Sequence, residues 1–322
     1  MRQYTLMNRR QFIKHSTVLA GSMYLAGQFN LQAQNSGLPK PRLAVTIDDP
    51  NLFQTPLYEP RERDLKILEN LAKHNLKAAL FVCGEKTDPP AGRKLLQRWD
   101  SSGHLICNHS YSHHYYHSSK IDINTYLDDI ARCDQIINKY DNYTKLFRYP
   151  YLKEGNTIEK RDTARAYLKT HDYSHGYVSI DASDWYIDQR LNKRLKENKS
   201  ADISAYYDFY IQHIQERAAY YSGLAAKFYS KPINHTLLIH HNLLNALFLD
   251  QLLTNLKSSG WDLIDADKAF TDPIYLNEPD ILPAGESIIW ALAKETGRFD
   301  AILRYPGEDS QYEEQKIIEL GL

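Results

Sequence analysis

Two histidines, His109 and His113, stand four residues apart directly after the apolar residues 105–107. On a helical turn, positions i and i+4 share one face with Cβ atoms about 6 Å apart, so two imidazoles there can bind one divalent cation. The spacing alone is weak evidence, because the chain contains 13 histidines. Four further polar stretches of the chain strengthen the interpretation of this pair as metal ligands.

Two acids, Asp48 and Asp49, follow the β-branched run at residues 42–47 and precede Pro50. Neighbouring residues of a strand point to opposite faces, so both carboxylates reach one site only if the chain turns there. Pro50 should hold Asp49 in an extended conformation and end the strand pairing. One carboxylate would then bind a cation while the other faces its bound water. The alternative is an Asx-Pro turn without chemistry.

The next polar stretch, residues 148–151, reads RYPY. A guanidinium such as that of Arg148 favours the charged form of a nearby carboxylate and fixes its orientation. Tyr151, directly after the proline, would present its backbone N–H to a developing oxyanion. The alternative is a surface arginine on a proline turn.

Two more stretches carry an aromatic residue and paired histidines. Trp185 ends the sequence DASDW at residues 181–185, where it would wall a sugar groove while an adjacent acid orients Arg148 or a histidine. His240 and His241 follow another apolar run, and a histidine opposite the cation would protonate a leaving amine. Because side chains alternate along a strand, only one of these histidines can face the site. The position directly after Leu238 and Ile239 selects His240. The alternatives are a core tryptophan and a packed histidine.

Patterns of strands and helices alternate about seven times along the chain. Strands are predicted at 42–47, 78–82, 105–107, 146–147, 177–180, 235–239 and 261–264, and helices at 61–74, 92–102, 121–140, 157–170, 201–229 and 247–258. This order predicts an α/β fold with a parallel sheet covered by helices. The polar stretches follow the strands, where the sites of such folds collect. No glycine-rich phosphate loop follows the first strand, which disfavours a nucleotide-binding fold.

The composition of the chain limits which classes of ligand and which cysteine-based structures are expected. The 322 residues carry a net charge of −1, so no basic excess suggests a nucleic-acid partner. The three cysteines are Cys83, Cys107 and Cys133, an odd and irregular set that indicates neither a disulfide framework nor a cysteine zinc site. The 24 tyrosines suit stacking on sugars, although packing in the core and at half-buried rims explains them better.

The N-terminal segment is typical of an export signal. Arg9 and Arg10 lie in the sequence NRRQFIK, and the weakly apolar residues 15–27 follow, as in twin-arginine signals. This run is too short and too polar for a permanent membrane span; the alternative is a basic disordered tail. We predict a signal peptide and linker at 1–36, a catalytic domain at 37–275 and a C-terminal extension packed on it at 276–322. The predicted location is periplasmic or secreted, with the twin-arginine machinery as a transient partner.

The five polar stretches together resemble the ordered motifs of the polysaccharide deacetylase family, carbohydrate esterase family 4. They read TIDDP at 46–50, HSYSH at 109–113, RYPY at 148–151, DASDW at 181–185 and LIH at 238–240. The resemblance covers about residues 42–270. It implies a deformed (β/α) barrel of about seven parallel strands, with the site at the C-terminal ends of the strands.

The resemblance also implies a role for each residue. The general base is Asp48, the general acid is His240, and the ligands of a divalent metal, usually zinc, are Asp49, His109 and His113. Arg148 and an acid of the fourth motif, for which we take Asp184, tune the base and the acid. Substrate contacts fall to Tyr151 and Trp185.

The implied activity is removal of acetyl groups from N-acetylated sugars of a poly- or oligosaccharide, with water activated by the metal attacking the acetyl carbonyl. One alternative is a metal-dependent C–N hydrolase of small cyclic amides on the same scaffold. Another is a catalytically silent carbohydrate-binding protein. The chain departs from the family pattern at Pro50, which replaces a glycine, at His241, which stands beside the acid, and at residues 201–230, a helical insertion expected to cap the groove.

Overall fold

The computed structural model describes residues 40–229, 231–304 and 310–322. The predicted export signal at residues 1–36 lies outside the described residues. Within the described ranges, no helix combines the length and the apolar character needed to cross a membrane. Cys83, Cys107 and Cys133 are buried free thiols.

A curled sheet of parallel strands forms the centre of the fold. Its strands are β1 (Arg42–Asp48), β2 (Ala79–Val82), β3 (Leu105–Asn108), β4 (Tyr143–Phe147), β6 (Ser174–His175), β7 (Asn234–His240) and β8 (Asp262–Leu263). Their order is β6-β4-β3-β2-β1-β7, with β8 pairing the start of β1. The short strand β5 (Lys153–Gly155) pairs antiparallel with β9 (Ala284–Gly285) outside this sheet. The predicted α/β fold, a deformed barrel of about seven parallel strands, is confirmed.

Helices cover the sheet. They are α1 (Pro60–Lys73), α2 (Gly84–Thr87), α3 (Pro90–Ser101), α4 (Ile123–Ile137), α5 (Ile158–Thr170), α6 (Asp184–Glu197), α7 (Ser204–Ala225), α8 (Leu243–Ser258), α9 (Ala266–Ala269), α10 (Ile288–Glu295) and α11 (Gln311–Leu320). Helix α6 was not predicted, although Ile187, Leu191 and Leu195 recur every four residues and are buried. Several tyrosines, among them Tyr126 and Tyr210, are fully buried, so core packing accounts for part of the tyrosine content.

The predicted strand at residues 177–180 is wrong except for a single parallel bridge between Ile180 and Leu237. Side-chain hydroxyl groups take part in the hydrogen bonding at this point. The Ser179 backbone N–H donates to Thr236 Oγ1, and the Thr236 N–H donates to Ser179 Oγ. Such side-chain hydrogen bonds compete with the backbone pattern of a regular strand. The regular strand in this part of the chain is β6, which pairs with β4 at the opposite edge of the sheet.

The described part of the C-terminal extension packs on the rest of the chain. Strand β9 pairs with β5, and helix α10 contacts α7. The Ile288 N–H donates to the Val178 carbonyl at 2.7 Å, and Ser287 Oγ donates to the Ser179 carbonyl at 2.8 Å. The extension is thereby tied to the loop that precedes the DASDW stretch.

Candidate active site

A cavity of about 380 Å³ opens at the C-terminal ends of the strands. Its lining residues are Asp48, Asp49, Lys86, His109, His113, Tyr151, Leu152, Asp181, Ala182, Trp185, Leu238 and His240. Seven of the nine predicted site residues are in this set, and the other two, Arg148 and Asp184, lie buried behind it. The structure therefore brings the five separate polar stretches to one place.

Asp49, His109 and His113 form a group that could hold a metal ion. Each offers one ligand atom, and these atoms all lie within 4.8 Å of one another. Nε2 of His113 is 3.5 Å from Oδ2 of Asp49, and the centroids of the two imidazole rings are 5.0 Å apart. Two imidazole nitrogens and one carboxylate oxygen are a donor set that fits zinc or another divalent first-row cation.

The two histidines do not lie on a helical turn, so that expectation is wrong. Strand β3 ends at Asn108, and the loop after it places Ser110 at φ 62° and His113 at φ 56°. Asn108 Oδ1 accepts the Ser110 N–H at 2.8 Å, and Ser110 Oγ accepts the His113 N–H at 3.2 Å. Nδ1 of His109 lies 2.8 Å from the Arg148 carbonyl oxygen. That contact fixes the proton on Nδ1 and leaves Nε2 as the ligand atom.

Asp49 is not extended, although a following proline favours that conformation. Its φ is 61°, in the left-handed region, and its N–H donates to the Phe81 carbonyl on β2 at 3.3 Å. Asn51 Nδ2 donates to the Asp49 carbonyl at 2.8 Å. This turn lets the carboxylates of Asp48 and Asp49 line the same cavity, which two successive strand residues could not do.

The carboxylate of Asp48 forms a buried ion pair with Arg148, whose Nη1 lies 2.5 Å from Oδ1. Arg148 Nε donates to the Gly176 carbonyl at 2.8 Å, and its guanidinium carbon lies 3.8 Å from the centroid of the Phe81 ring. Burial raises the pKa of Asp48 above its ordinary value, although the charge of Arg148 opposes that effect. A carboxylate with a raised pKa accepts a proton more readily than an exposed one.

The pKa of the neighbouring carboxyl group, that of Asp49, is shifted in the opposite direction. Burial raises the pKa of Asp49, but the positive charges of its neighbours together outweigh burial and hold that pKa well below its usual range; in order of size these are His113, Lys86, His109 and His240. Burial also lowers the pKa of His109 and of His113 to about 4. At neutral pH the group therefore presents one anionic oxygen donor and two neutral imidazoles, the protonation states that a metal requires.

His240 faces the cavity from the end of β7 and is held by Asp184. Its Nδ1 lies 2.7 Å from Asp184 Oδ1, and its backbone N–H donates to Asp184 Oδ2 at 2.9 Å. The side-chain amides of Asn242 and Asn245 also donate to Oδ2, both at 2.9 Å. Burial lowers the pKa of His240, but the carboxylates of Asp184, Asp48 and Asp49, with Asp184 contributing most, together raise it by more, to about 9. The acid of the fourth motif thus orients a histidine and not Arg148.

His241 points away from the cavity into the helix layer. Its side chain is fully buried, with Nε2 3.1 Å from Oδ1 of Asp64 on α1. Asp64 also accepts a hydrogen bond from Trp99 Nε1 at 2.7 Å. The register of β7, in which His240 is paired with Asp48, fixes which of the two adjacent histidines reaches the site.

Aromatic side chains wall the cavity. Tyr151 has a left-handed backbone conformation with φ 58°, and its half-exposed ring lies 4.6 Å from the ring of His113 between centroids. Trp185, the second residue of α6, is partly buried on the same cavity. No lining residue comes from residues 201–229, so the described part of the helical insertion does not cap this cavity. It supports the site from behind, because Tyr210 donates to Asn245 Oδ1 at 2.5 Å.

Lys86 is a lining residue that the sequence did not predict. It lies on α2, just after β2, and its Nζ is 2.9 Å from Asp49 Oδ1. The stretch after β2 carries a lone charged pair, Glu85 and Lys86, without a histidine or paired acids to draw attention to it. The sequence offered one indication that Lys86 belongs to the site, namely its position directly after a central strand of the parallel sheet.

Comparisons with known proteins agree with the motif pattern. Residues 35–176 match the family model described as polysaccharide deacetylase. A peptidoglycan-N-acetylglucosamine deacetylase of Bacillus cereus is 30% identical over 148 residues, which cover 45% of this chain and 47% of that protein. A bifunctional xylanase/deacetylase of Pseudobutyrivibrio xylanivorans is 26% identical over 168 residues, which cover 52% of this chain and 25% of that protein. The chain therefore spans about half or less of the length of these relatives.

A solved structure shares the fold. The crystal structure of a peptidoglycan N-acetylglucosamine deacetylase aligns with a TM-score of 0.50 and 22% identity, covering 72% of this chain and 89% of that one. At this identity the likeness concerns the fold alone. It agrees with the curled parallel sheet described above.

Proposed function

Since residues 35–176 belong to the polysaccharide deacetylase family, we propose that the protein is a metal-dependent hydrolase that removes acetyl groups from the N-acetylated sugars of a poly- or oligosaccharide. The observation that carries this proposal is the arrangement of two ion pairs around one cavity: Asp48 with Arg148, which is buried, and Asp184 with His240, which is partly buried. The metal-ligand group lies in the same cavity. The names of the two relatives support deacetylation as the reaction.

Asp49, His109 and His113 would hold the cation, for which zinc is the expected ion. A divalent cation in this position supplies a Lewis acid that lowers the pKa of a bound water and polarises an acetyl carbonyl. The three ligand side chains are already in the protonation state that binds a cation, because their low pKa values keep them deprotonated at neutral pH. No proton has to be displaced from these ligands when the cation binds.

Asp48 would act as the general base. Its raised pKa increases the affinity of the carboxylate for the proton of an attacking water, and Arg148 fixes the direction of the carboxylate. His240 would act as the general acid, because its elevated pKa keeps the ring protonated at neutral pH. With Nδ1 directed to Asp184, the proton on Nε2 is the one available to a departing amine.

The cavity walls suggest how a sugar is held. Trp185 and Tyr151 present aromatic surface to a cavity that otherwise carries mostly ionisable groups. Aromatic rings pack well against the apolar faces of pyranose sugars, while the polar groups remain for the acetamido substituent. A polymer of N-acetylated sugars outside the cytoplasm is the proposed substrate class. The proposal includes export through the twin-arginine route, because Arg9 and Arg10 form the arginine pair of such a signal.

The test is acetate release from a panel of N-acetylated oligosaccharides by the purified protein supplied with zinc. Release of acetate with a matching gain of free amine is expected, and Asp48→Asn is the matched inactive control. Hydrolysis of small cyclic amides or ureides without acetate release would favour the other C–N hydrolase. Sugar binding without turnover would favour a silent carbohydrate-binding protein.

A further inference from the structure

The two oxygens of the Asp49 carboxylate have different partners, Lys86 and His113. Its Nζ lies 2.9 Å from Oδ1, while Nε2 of His113 lies 3.5 Å from Oδ2. The side chain of Lys86 is 23% exposed and lines the cavity, so the ammonium group is not a distant surface charge. One oxygen of the carboxylate is thus directed to a cation of the chain itself, and the other to the predicted metal ligands.

The backbone fixes this arrangement. The Asp49 N–H donates to the carbonyl of Phe81 on β2, which sets the residue after β1 beside the residues after β2. The N–H groups of Gly84 and Glu85 donate to the carbonyls of Ser110 and Tyr111 at 3.0 and 2.8 Å. A Cβ atom on Gly84 would lie only 2.6 Å from the Tyr111 ring, so glycine permits this close approach. Helix α2 and the histidine loop are therefore positioned together.

Lys86 and Asp49 form an ion pair of their own in the cavity. Asp48 is matched by Arg148, and Asp184 is matched by His240. Lys86 is the remaining positively charged lining residue and lies against the only carboxylate of the metal-ligand group among the described residues. A cation at this group would meet the ammonium charge at short range, in a partly buried site where charges are weakly screened.

We propose that Lys86 is a positioning residue that confines Asp49 to binding the cation through a single oxygen, and that its charge weakens the binding of the cation. A cation with one carboxylate oxygen and a nearby ammonium group keeps more of its positive charge than one with two oxygens, and so remains the stronger Lewis acid. The inference rests on the proposed function, since it requires that Asp49 is a metal ligand.

The test compares zinc dissociation constants of the purified protein and three variants by competition with a chelator. Lys86→Met removes the charge and keeps most of the length, Lys86→Arg keeps the charge, and Lys94→Met is a matched control at an exposed lysine of α3 that is not a lining residue. Lys86→Met should bind zinc about tenfold more tightly, an effect of the size that residues around metal ligands exert. Lys86→Arg and Lys94→Met should stay close to the unmodified protein.

Cobalt substitution gives a second measurement that does not depend on activity. When Asp49 can bind through both oxygens, the coordination number rises and the visible absorption of bound Co²⁺ weakens. This change is expected in Lys86→Met and not in Lys86→Arg. If Lys86→Met does not fold, Lys86→Gln replaces it in both measurements.

Equal or weaker zinc affinity in Lys86→Met, with an unchanged cobalt spectrum, would overturn the inference. Absence of zinc and cobalt binding by the unmodified protein is a different result. It would overturn the proposed metal site, and the inference about Lys86 would fall with it.

Discussion

Asp184 holds His240 by both its ring and its backbone. Oδ1 lies 2.7 Å from Nδ1, and Oδ2 accepts the backbone N–H of His240 at 2.9 Å. The carboxylate is fully buried, and two asparagine amides complete its hydrogen bonds. One acid therefore sets the orientation, the tautomer and the charge of the histidine that faces the cavity.

The first prediction concerns the pH profile. The pKa of His240 stands at about 9 because the carboxylates of Asp184, Asp48 and Asp49 together outweigh burial, and a cation in the cavity would only lower it. A general acid must carry its proton, so kcat should fall as the pH rises through this pKa, giving an alkaline limb no higher than about pH 9. Asp184→Asn removes the charge and should move that limb to lower pH by at least about one unit.

The matched control is Asp188→Asn, one turn further along α6. Asp188 accepts the backbone N–H of Leu244 and does not contact His240 in the described structure. Its substitution should leave the alkaline limb in place. An Asp184→Asn profile that coincides with that of the unmodified protein would show that His240 is not the acid that titrates in this limb.

The second prediction concerns the base. In Asp48→Asn the three ligand atoms of Asp49, His109 and His113 remain, so zinc content should be retained. The amide cannot accept a proton, and kcat should fall by roughly 10² or more, the usual contribution of a general base. Turnover and zinc stoichiometry measured on the same sample check both parts. Near-normal turnover would contradict the assignment of Asp48.

The third prediction concerns the metal. His113→Ala removes one of the three donors, so zinc affinity and activity should be lost together. His114→Ala is the matched control, because His114 is the next residue in the chain but does not line the cavity. Metal analysis after dialysis distinguishes the two. Stoichiometric zinc at unchanged affinity in His113→Ala would mean that the site is misassigned.

The sequence predicted the convergence of the site better than its local geometry. Parallel strands bring their C-terminal ends to one edge, so the polar residues after β1, β3 and β7 had to meet. The left-handed conformations of Asp49 and His113 were not predictable, because tertiary hydrogen bonds fix them, such as that from Asp49 to Phe81. Lys86 was missed because no spacing motif marks a single lysine that meets its partner only in the folded chain.

Helix α6 and the strand at 177–180 were mispredicted for a related reason. The DASDW stretch was interpreted as a strand end, yet Asp184 is already the first residue of a helix, and the extended segment before it makes side-chain hydrogen bonds. Periodicity identified the other long helices, and α6 is the exception. It did not locate the point where one element gives way to the next, since that depends on contacts with β7.

The fourth prediction concerns export, and its residues lie outside the described structure. Replacing Arg9 and Arg10 with lysine should leave the precursor in the cytoplasm, because twin-arginine signals depend on the paired arginines. Lys14→Gln, which lies in the same segment but leaves the pair intact, is the matched control. Cell fractionation with detection of precursor and mature protein makes the comparison. Normal export of the double variant would contradict the proposed route.

The last prediction separates two adjacent histidines. His240 lines the cavity, whereas the side chain of His241 is fully buried against Asp64. His240→Ala should lower kcat, retain zinc and remove the alkaline limb, because the protonated donor for the departing amine is gone.

His241→Ala should instead lower the free energy of unfolding, because the substitution removes one hydrogen bond from the buried carboxylate of Asp64. Loss of one partner of a buried polar group costs about 1–3 kcal/mol. The carboxylate of Asp64 keeps its contacts with Trp99 and Arg98, so the chain should still fold. Denaturant unfolding, zinc analysis and kcat measured on both variants make the comparison. If His241→Ala abolishes turnover while His240→Ala only destabilises the fold, the acid is His241 and the register of β7 is shifted by one residue.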